Sequence, residues 1–309
     1  LVFVNFIILI IGLTMLVFGA EFVVRGSVSF GKKLKVSLFA IGVVVVAGGT
    51  SLPELASSIK AVLANHSDLA VGAVIGSNIA NLILIMATTS FLTPIDNINQ
   101  NQINQAWTNI ALSLVLICIS YFFLPFNFIF GFIAVFFLFI IMILQIRQGS
   151  LDVSEVVEKG DHSIIVSLLF IVIGIIFLIF GSELFVESAI NIANNLNISE
   201  AIIGVSLVAF GTSLPELAVG ILSAIRRKVD FALGNVLGSN IYNVLGVLGI
   251  SSFFGNFKIP NVLGSEDLFF MLFVTVMLLG FMFFIKRIGR TYGSIGLVLY
   301  LGYIFYVYN

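Results

Sequence analysis

Charge is scarce in this chain. Only 9% of its 309 residues are Asp, Glu, Lys or Arg, against 60% hydrophobic, and the mean hydropathy is +1.20. A soluble core cannot absorb that much apolar surface, so the sequence reads as an all-α polytopic membrane protein in contact with membrane lipid. The formal net charge is -1 and no basic patch argues for a nucleic-acid partner. Cysteine is nearly absent. The single Cys118 lies in an apolar run, which rules out an intramolecular disulfide and a cysteine-held metal cluster. The two histidines, His66 and His162, fall at connections and receive no metal or catalytic role. No nucleotide-binding motif is present to power transport, no cofactor is implied, and no obligate protein partner is evident. Nor is there a nucleophile and base constellation, so the chain does not read as an enzyme. The opening stretch, LVFVNFIILIIGLTMLVFGAEF, has neither a basic leader region nor a small-residue cleavage site. It is expected to be a first span rather than a cleaved signal.

Two near-copies organise what is there. GGTSLPE at Gly48 to Glu54 returns as FGTSLPE at Phe210 to Glu216, each inside an apolar segment long enough to cross a bilayer. An ionised carboxylate at that depth persists only where it faces a protein interior or an aqueous path, usually beside a cation or proton. A shift of 162 superposes the two and, without a gap, also lays FGAE at Phe18 on FGSE at Phe180 and VGAVIGSNIAN at Val71 on LGNVLGSNIYN at Leu233. Small residues in membrane helices often serve packing alone. Packing accounts for the glycines but not for the paired Ser, Pro, Glu and Asn.

Ten spans are expected, near 2–24, 37–64, 69–91, 106–125, 127–146, 163–187, 199–225, 231–254, 267–285 and 291–308, from the need for about 20 apolar residues per crossing. They divide into a first five-helix repeat at 1–146, a linker at 147–162 and a second five-helix repeat at 163–309. The fourth and fifth spans are separated only by the turn around Pro125 and Asn127. The polar run Asn97 to Gln105 reads as a connection. Arg25, Lys32, Lys33, Lys35, Arg147, Lys159, Arg226 to Lys228, Lys286, Arg287 and Arg290 fall on one side of this model, whereas Lys60 and Lys258 lean to the other. The positive-inside rule then places the linker in the cytoplasm and both termini outside it, in a multi-pass protein of the cell membrane. An odd number of spans per repeat inverts the second against the first, as in secondary transporters with a site near the midplane. The linker carries Asp152, Glu155, Glu158 and Asp161, but their spacing fits no EF-hand loop.

Within the second span Ala47, Thr50, Ser51 and Glu54 share a helix face, and in the seventh Ala209, Thr212, Ser213 and Glu216 repeat the pattern. Pro53 and Pro215 each remove a backbone donor, which is expected to free carbonyls one turn earlier, Ala47 to Gly49 in the first copy. Ser77 and Asn81 lie one turn apart on the third span, as do Ser239 and Asn243 on the eighth. Gly72 with Gly76 and Gly234 with Gly238 permit close helix approach. All these donors are oxygen, which suits calcium or sodium and not zinc or copper. Two carboxylates balance one divalent ion, or hold sodium ions or protons when it leaves, so exchange of one ion for another is the simplest coupling.

At GTSLPE and GxxxGSNIxN, in both copies, the chain resembles the sodium/calcium exchanger branch of the calcium:cation antiporter family. The resemblance implies ten helices in two inverted repeats, four clustered ion positions and, commonly, exchange of three sodium ions for one calcium. It implies a first half-site of Ala47, Thr50, Ser51, Glu54, Ser77 and Asn81, and a second of Ala209, Thr212, Ser213, Glu216, Ser239 and Asn243. It also implies that the first and sixth helices slide against the core. One position departs from the pattern: family members often have aspartate where this chain has Asn243. Sodium/calcium antiport is the expected function, with proton/calcium or other cation antiport as the alternative and a cation channel as a more distant one.

Overall fold

The computed structural model describes residues 2–122, 124–151, 162–195, 211–259 and 265–307. The described residues are almost entirely helical, which the sequence anticipated. In chain order the helices are α1 Val2–Leu34, α2 Leu38–Thr50, α3 Leu52–Leu63, α4 Ser67–Leu92, α5 Gln100–Tyr121, α6 Phe128–Leu151, α7 Ile164–Asn195, α8 Leu214–Ile225, α9 Val229–Ser251, α10 Glu266–Ile285 and α11 Arg290–Val307. Seven of them are singly long and apolar enough to cross a membrane, and α2 with α3, bent by 41° at Ser51, makes an eighth. The expected seventh span begins outside the described residues and continues into α8.

Several boundaries differ from the sequence expectation for physical reasons. α1 runs ten residues past 24, because Arg25, Lys32 and Lys33 end an apolar window without ending a helix. Basic side chains suit a helix C-terminus and extend along its surface toward water. The run Asn97 to Gln105 is not a simple connection. Asn99 caps α5 through a reciprocal box with Gln102, and Asn101, Gln102 and Gln105 are buried on that helix. Two antiparallel two-residue strands, Ile95–Asp96 and Arg287–Ile288, also interrupt the all-helical expectation, closed by an Arg287–Asp96 ion pair of 2.9 Å. The turn between the fourth and fifth spans is present: α5 stops at Tyr121, α6 starts at Phe128, and Phe126 bridges to Phe257 by two backbone hydrogen bonds of 2.7 and 3.1 Å.

α1 and α7 form an antiparallel pair joined along small residues seven apart. A methyl added at Gly19 would lie 2.8 Å from the Gly174 carbonyl oxygen, and one at Gly12 would lie 2.8 Å from that of Gly181. Such separations let two backbones touch, which larger side chains prevent. The remaining helices enclose a core in which α9 is buried along nearly its whole length. Gly234 and Gly238 of α9 press against Phe39 and Val43 of α2.

Equivalent turns close both hairpins that hold the carboxylates. After α3, Asn65 adopts a left-handed conformation at φ 61°, and His66 N–H donates to the Ala61 carbonyl at 2.8 Å. After α8, Arg227 does the same at φ 56°, with Lys228 N–H donating to Ser223 at 2.7 Å. This pairing satisfies the last carbonyls of each helix and turns the chain back sharply. It sets α4 against α3 and α9 against α8.

Candidate cation site

The GTSLPE segments break their helices where the prolines demand it. Ser51 leaves the helical region at ψ 6°, Pro53 sits in the first turn of α3, and Glu54 follows it; Ser213, Pro215 and Glu216 repeat this at α8. Each carboxylate thus lies at the start of a short helix, where the dipole favours negative charge. Glu54 is 2% and Glu216 1% exposed. All of their hydroxyl partners but one, Ser239, come from the other half of the sequence. Ser51 Oγ donates to Glu216 Oε1 at 3.5 Å, as does Ser239 Oγ, while Thr50 stands beside Glu216 and Thr212 beside Glu54. Ser213 Oγ reaches Ser77 Oγ at 3.4 Å.

The asparagines cross in the same reciprocal way. Asn81 Nδ2 donates to Asn240 Oδ1 at 2.9 Å, and Asn243 Nδ2 donates to Asn78 Oδ1 at 3.0 Å. Asn78 and Asn240 also exchange amide bonds with each other's main-chain carbonyl, at 3.4 and 3.3 Å. These bonds use the donors and leave acceptors over. Glu54 Oε2, Glu216 Oε2, Asn81 Oδ1 and Asn243 Oδ1 are all buried with no protein donor. An unpaired buried acceptor is costly, and four in one polar cluster, two of them carboxylate, require positive charge. A hard cation fits that set, since every free atom is an oxygen. No group of three or more His, Cys, Asp or Glu side chains able to hold a metal occurs among the described residues. This cluster therefore relies on two carboxylates and neutral oxygens.

Of the twelve residues singled out, ten place polar side chains in or beside this cluster. Ala47 is buried next to it, but its carbonyl is not free as expected: it accepts from Ser51 N–H at 3.0 Å and from Thr50 Oγ1 at 3.4 Å. Ala209 and the linker acids Asp152, Glu155, Glu158 and Asp161 lie outside the described residues. Sequence reasoning missed Asn78, Asn240 and Asn235. The first two stand in the repeated GSN triplets and were legible there. Asn235 Oδ1 lies 3.4 Å from Thr50 Oγ1, yet its counterpart 162 positions earlier is Ala73, so repetition gave no sign of it.

π-helical turns follow the motifs on α4 and α9, at Asn81–Ile85 and Tyr242–Val247, and another occupies Gly42–Val46 of α2. Such turns loosen main-chain pairing and often mark functional sites. Tyr292 Oη donates to the Leu82 carbonyl at 3.0 Å and Tyr242 Oη to that of Val44 at 2.9 Å. Both hydroxyls serve carbonyls of π turns inside the apolar layer.

A helical membrane protein with a buried, two-carboxylate oxygen site is the class these features define, a carrier of hard cations. The model of the sodium/calcium exchanger protein family matches residues 4–147 and 166–309, and the chain belongs to that family. It is 34% identical to an uncharacterized membrane protein of Methanocaldococcus jannaschii, over 94% of each chain. It is 32% identical to the sodium/calcium exchanger MaX1 of Methanosarcina acetivorans, over 97% of each. A solved structure of the sodium-calcium exchanger NCX_Mj, soaked with zero Na+ and Ca2+, superposes with a TM-score of 0.87 at 32% identity, covering 99% of this chain and 100% of that one.

Proposed function

We propose that this protein is a secondary active antiporter that exchanges sodium for calcium across the membrane by alternating access. The observation that carries the reading is the set of four buried oxygens, on Glu54, Glu216, Asn81 and Asn243, left without donors. Family membership names the ions that suit such a set, and relatives bearing sodium/calcium exchanger names support it. Calcium takes both carboxylates. Sodium ions replace it on the same carboxylates and on the neighbouring hydroxyl and amide oxygens, so that each loading changes the electrostatic cost of moving the site between faces.

In this reading the chain forms ten spans in two inverted five-helix repeats, 1–146 and 163–309, joined by a cytoplasmic linker at 147–162. Ala47, Thr50, Ser51, Glu54, Ser77 and Asn81 make one half of the site, and Ala209, Thr212, Ser213, Glu216, Ser239 and Asn243 the other. The reciprocal bonds between Asn78 and Asn240, which are 162 apart, and the matching pair Asn81–Asn240 and Asn243–Asn78 support the repeat. Calcium uptake into vesicles of reconstituted protein, driven by an outward sodium gradient, tests the function. Uptake driven equally well by an outward proton gradient alone would overturn sodium coupling.

A further inference from the structure

We propose that the C-terminal part of α1 and the α8–α9 turn bind the phosphate headgroup of an anionic phospholipid. A cavity of about 160 Å³ lies there, lined by Arg25 and Lys32 of α1 and by Arg226 and Lys228 of the turn. Val24 and Val28 supply an apolar wall, and no described acidic residue lines it. Ser29, at the back, is fixed by its hydrogen bonds with the main chain of His162, at 3.2 and 3.4 Å.

The charge around this cavity is unbalanced by construction. Arg226 grips Glu21 through Nη2 at 2.6 Å and Nε at 3.2 Å, and Arg25 bonds the same carboxylate. Together with Lys228, that sets three cations against one carboxylate. Both guanidinium groups are more than half exposed, so each retains donors directed away from Glu21. Convergent cations of this kind favour a multiply accepting anion, for which phosphate is the chemical match.

Its surroundings select a lipid as the source. The cavity, of about 160 Å³, has room for a phosphodiester group. Ile225, next to Arg226, is 64% exposed, and Leu34 at the end of α1 is 46% exposed. The cavity therefore stands at the margin of the lipid-facing surface, where basic pockets between membrane helices take anionic headgroups.

Binding of short-chain phosphatidylglycerol, phosphatidylcholine and inorganic phosphate to the full chain in neutral detergent tests the assignment. Phosphatidylglycerol is expected to bind at least about tenfold more tightly than phosphatidylcholine. The paired change Arg25→Gln and Lys228→Gln, which spares the Arg226–Glu21 contact, is expected to weaken it roughly 25-fold, about fivefold per basic residue. Equal binding of the two lipids, or undiminished binding by a variant with an unchanged melting temperature, would overturn the proposal. Inorganic phosphate competing as well as the lipid would make this a site for a soluble anion and overturn it too. If the paired variant does not fold, Lys228→Gln alone decides between a roughly fivefold loss and none.

Discussion

Glu54 and Glu216 are the two carboxylates of the proposed site, and each keeps one oxygen free of any protein donor among the described residues. Replacing either by Gln conserves shape but removes the charge that a divalent ion needs. Glu54→Gln and Glu216→Gln are each expected to leave the protein folded and to weaken calcium binding at least about tenfold, the equivalent of 1.4 kcal/mol. Equilibrium calcium binding to the purified variants measures this, and wild-type affinity in both would sink the shared-site reading. Asn243 poses a second question. Its Nδ2 satisfies Asn78 Oδ1, while its own Oδ1 is one of the free acceptors. Asn243→Asp would strip Asn78 of its donor and bring two acceptors together, costing roughly 1–3 kcal/mol in the ion-free protein. A bound calcium ion would reverse that penalty through the added charge. The expected outcome is a lower melting temperature without calcium, a larger rise on adding it, and a calcium affinity that falls as the pH drops and the new carboxylate takes up a proton. Unchanged affinity, sodium competition and pH response would remove Asn243 from the site.

At the scale of elements, the helix breaks were legible because proline forbids a specific hydrogen bond, and the carboxylates were legible because charge is rare in an apolar span. The buried face of α5 was not. Asn101, Gln102 and Gln105 look like a solvated turn until Asp230 is seen to accept from Gln102 Nε2 at 2.8 Å across helices. The π turns left no mark of their own either: they set Asn81, Asn243, Tyr242 and two glycines among Val, Leu and Ile, and none of these residue types prescribes a π turn. Their tyrosine partners lie as far away as 210 residues, for Tyr292 and Leu82. Tyr292→Phe is therefore expected to leave the Leu82 carbonyl unpaired at 0% exposure of its partner and to destabilise the fold by about 1 kcal/mol, read as a lowered melting temperature. Packing between α1 and α7 gives a stronger effect. Gly19→Leu would drive a side chain into the Gly174 carbonyl and the Leu178 backbone nitrogen, 2.8 and 2.9 Å from the first added carbon. The pair must separate to admit it, at a cost of about 1–3 kcal/mol or more. A melting temperature equal to wild type would show that these backbones do not meet.

For the whole molecule, contacts between connections divide the chain into two ends that can be assigned to the two sides of a membrane. Ser37, just after α1, donates its main-chain N–H to Gly149 near the end of α6 at 3.0 Å, and Ser29 holds His162 at the start of α7. Arg226 of the α8–α9 turn reaches Glu21, and Arg287 pairs with Asp96. These ties gather one end of the bundle, and twelve of the fourteen Lys and Arg residues lie in or beside its connections along the sequence. At the other end, the Phe126–Phe257 bridge joins the α5–α6 turn to the segment after α9, next to Lys258. By the positive-inside rule, we propose that the basic end is cytoplasmic. On that proposal the linker between residues 147 and 162 is internal and both termini are external. A cysteine introduced at Ser154, after replacement of the exposed Cys118, is expected to resist a membrane-impermeant thiol reagent in intact cells and to react once the membrane is opened. Labelling in intact cells would invert the molecule and move the basic cavity at Arg25 and Arg226 to the outer face.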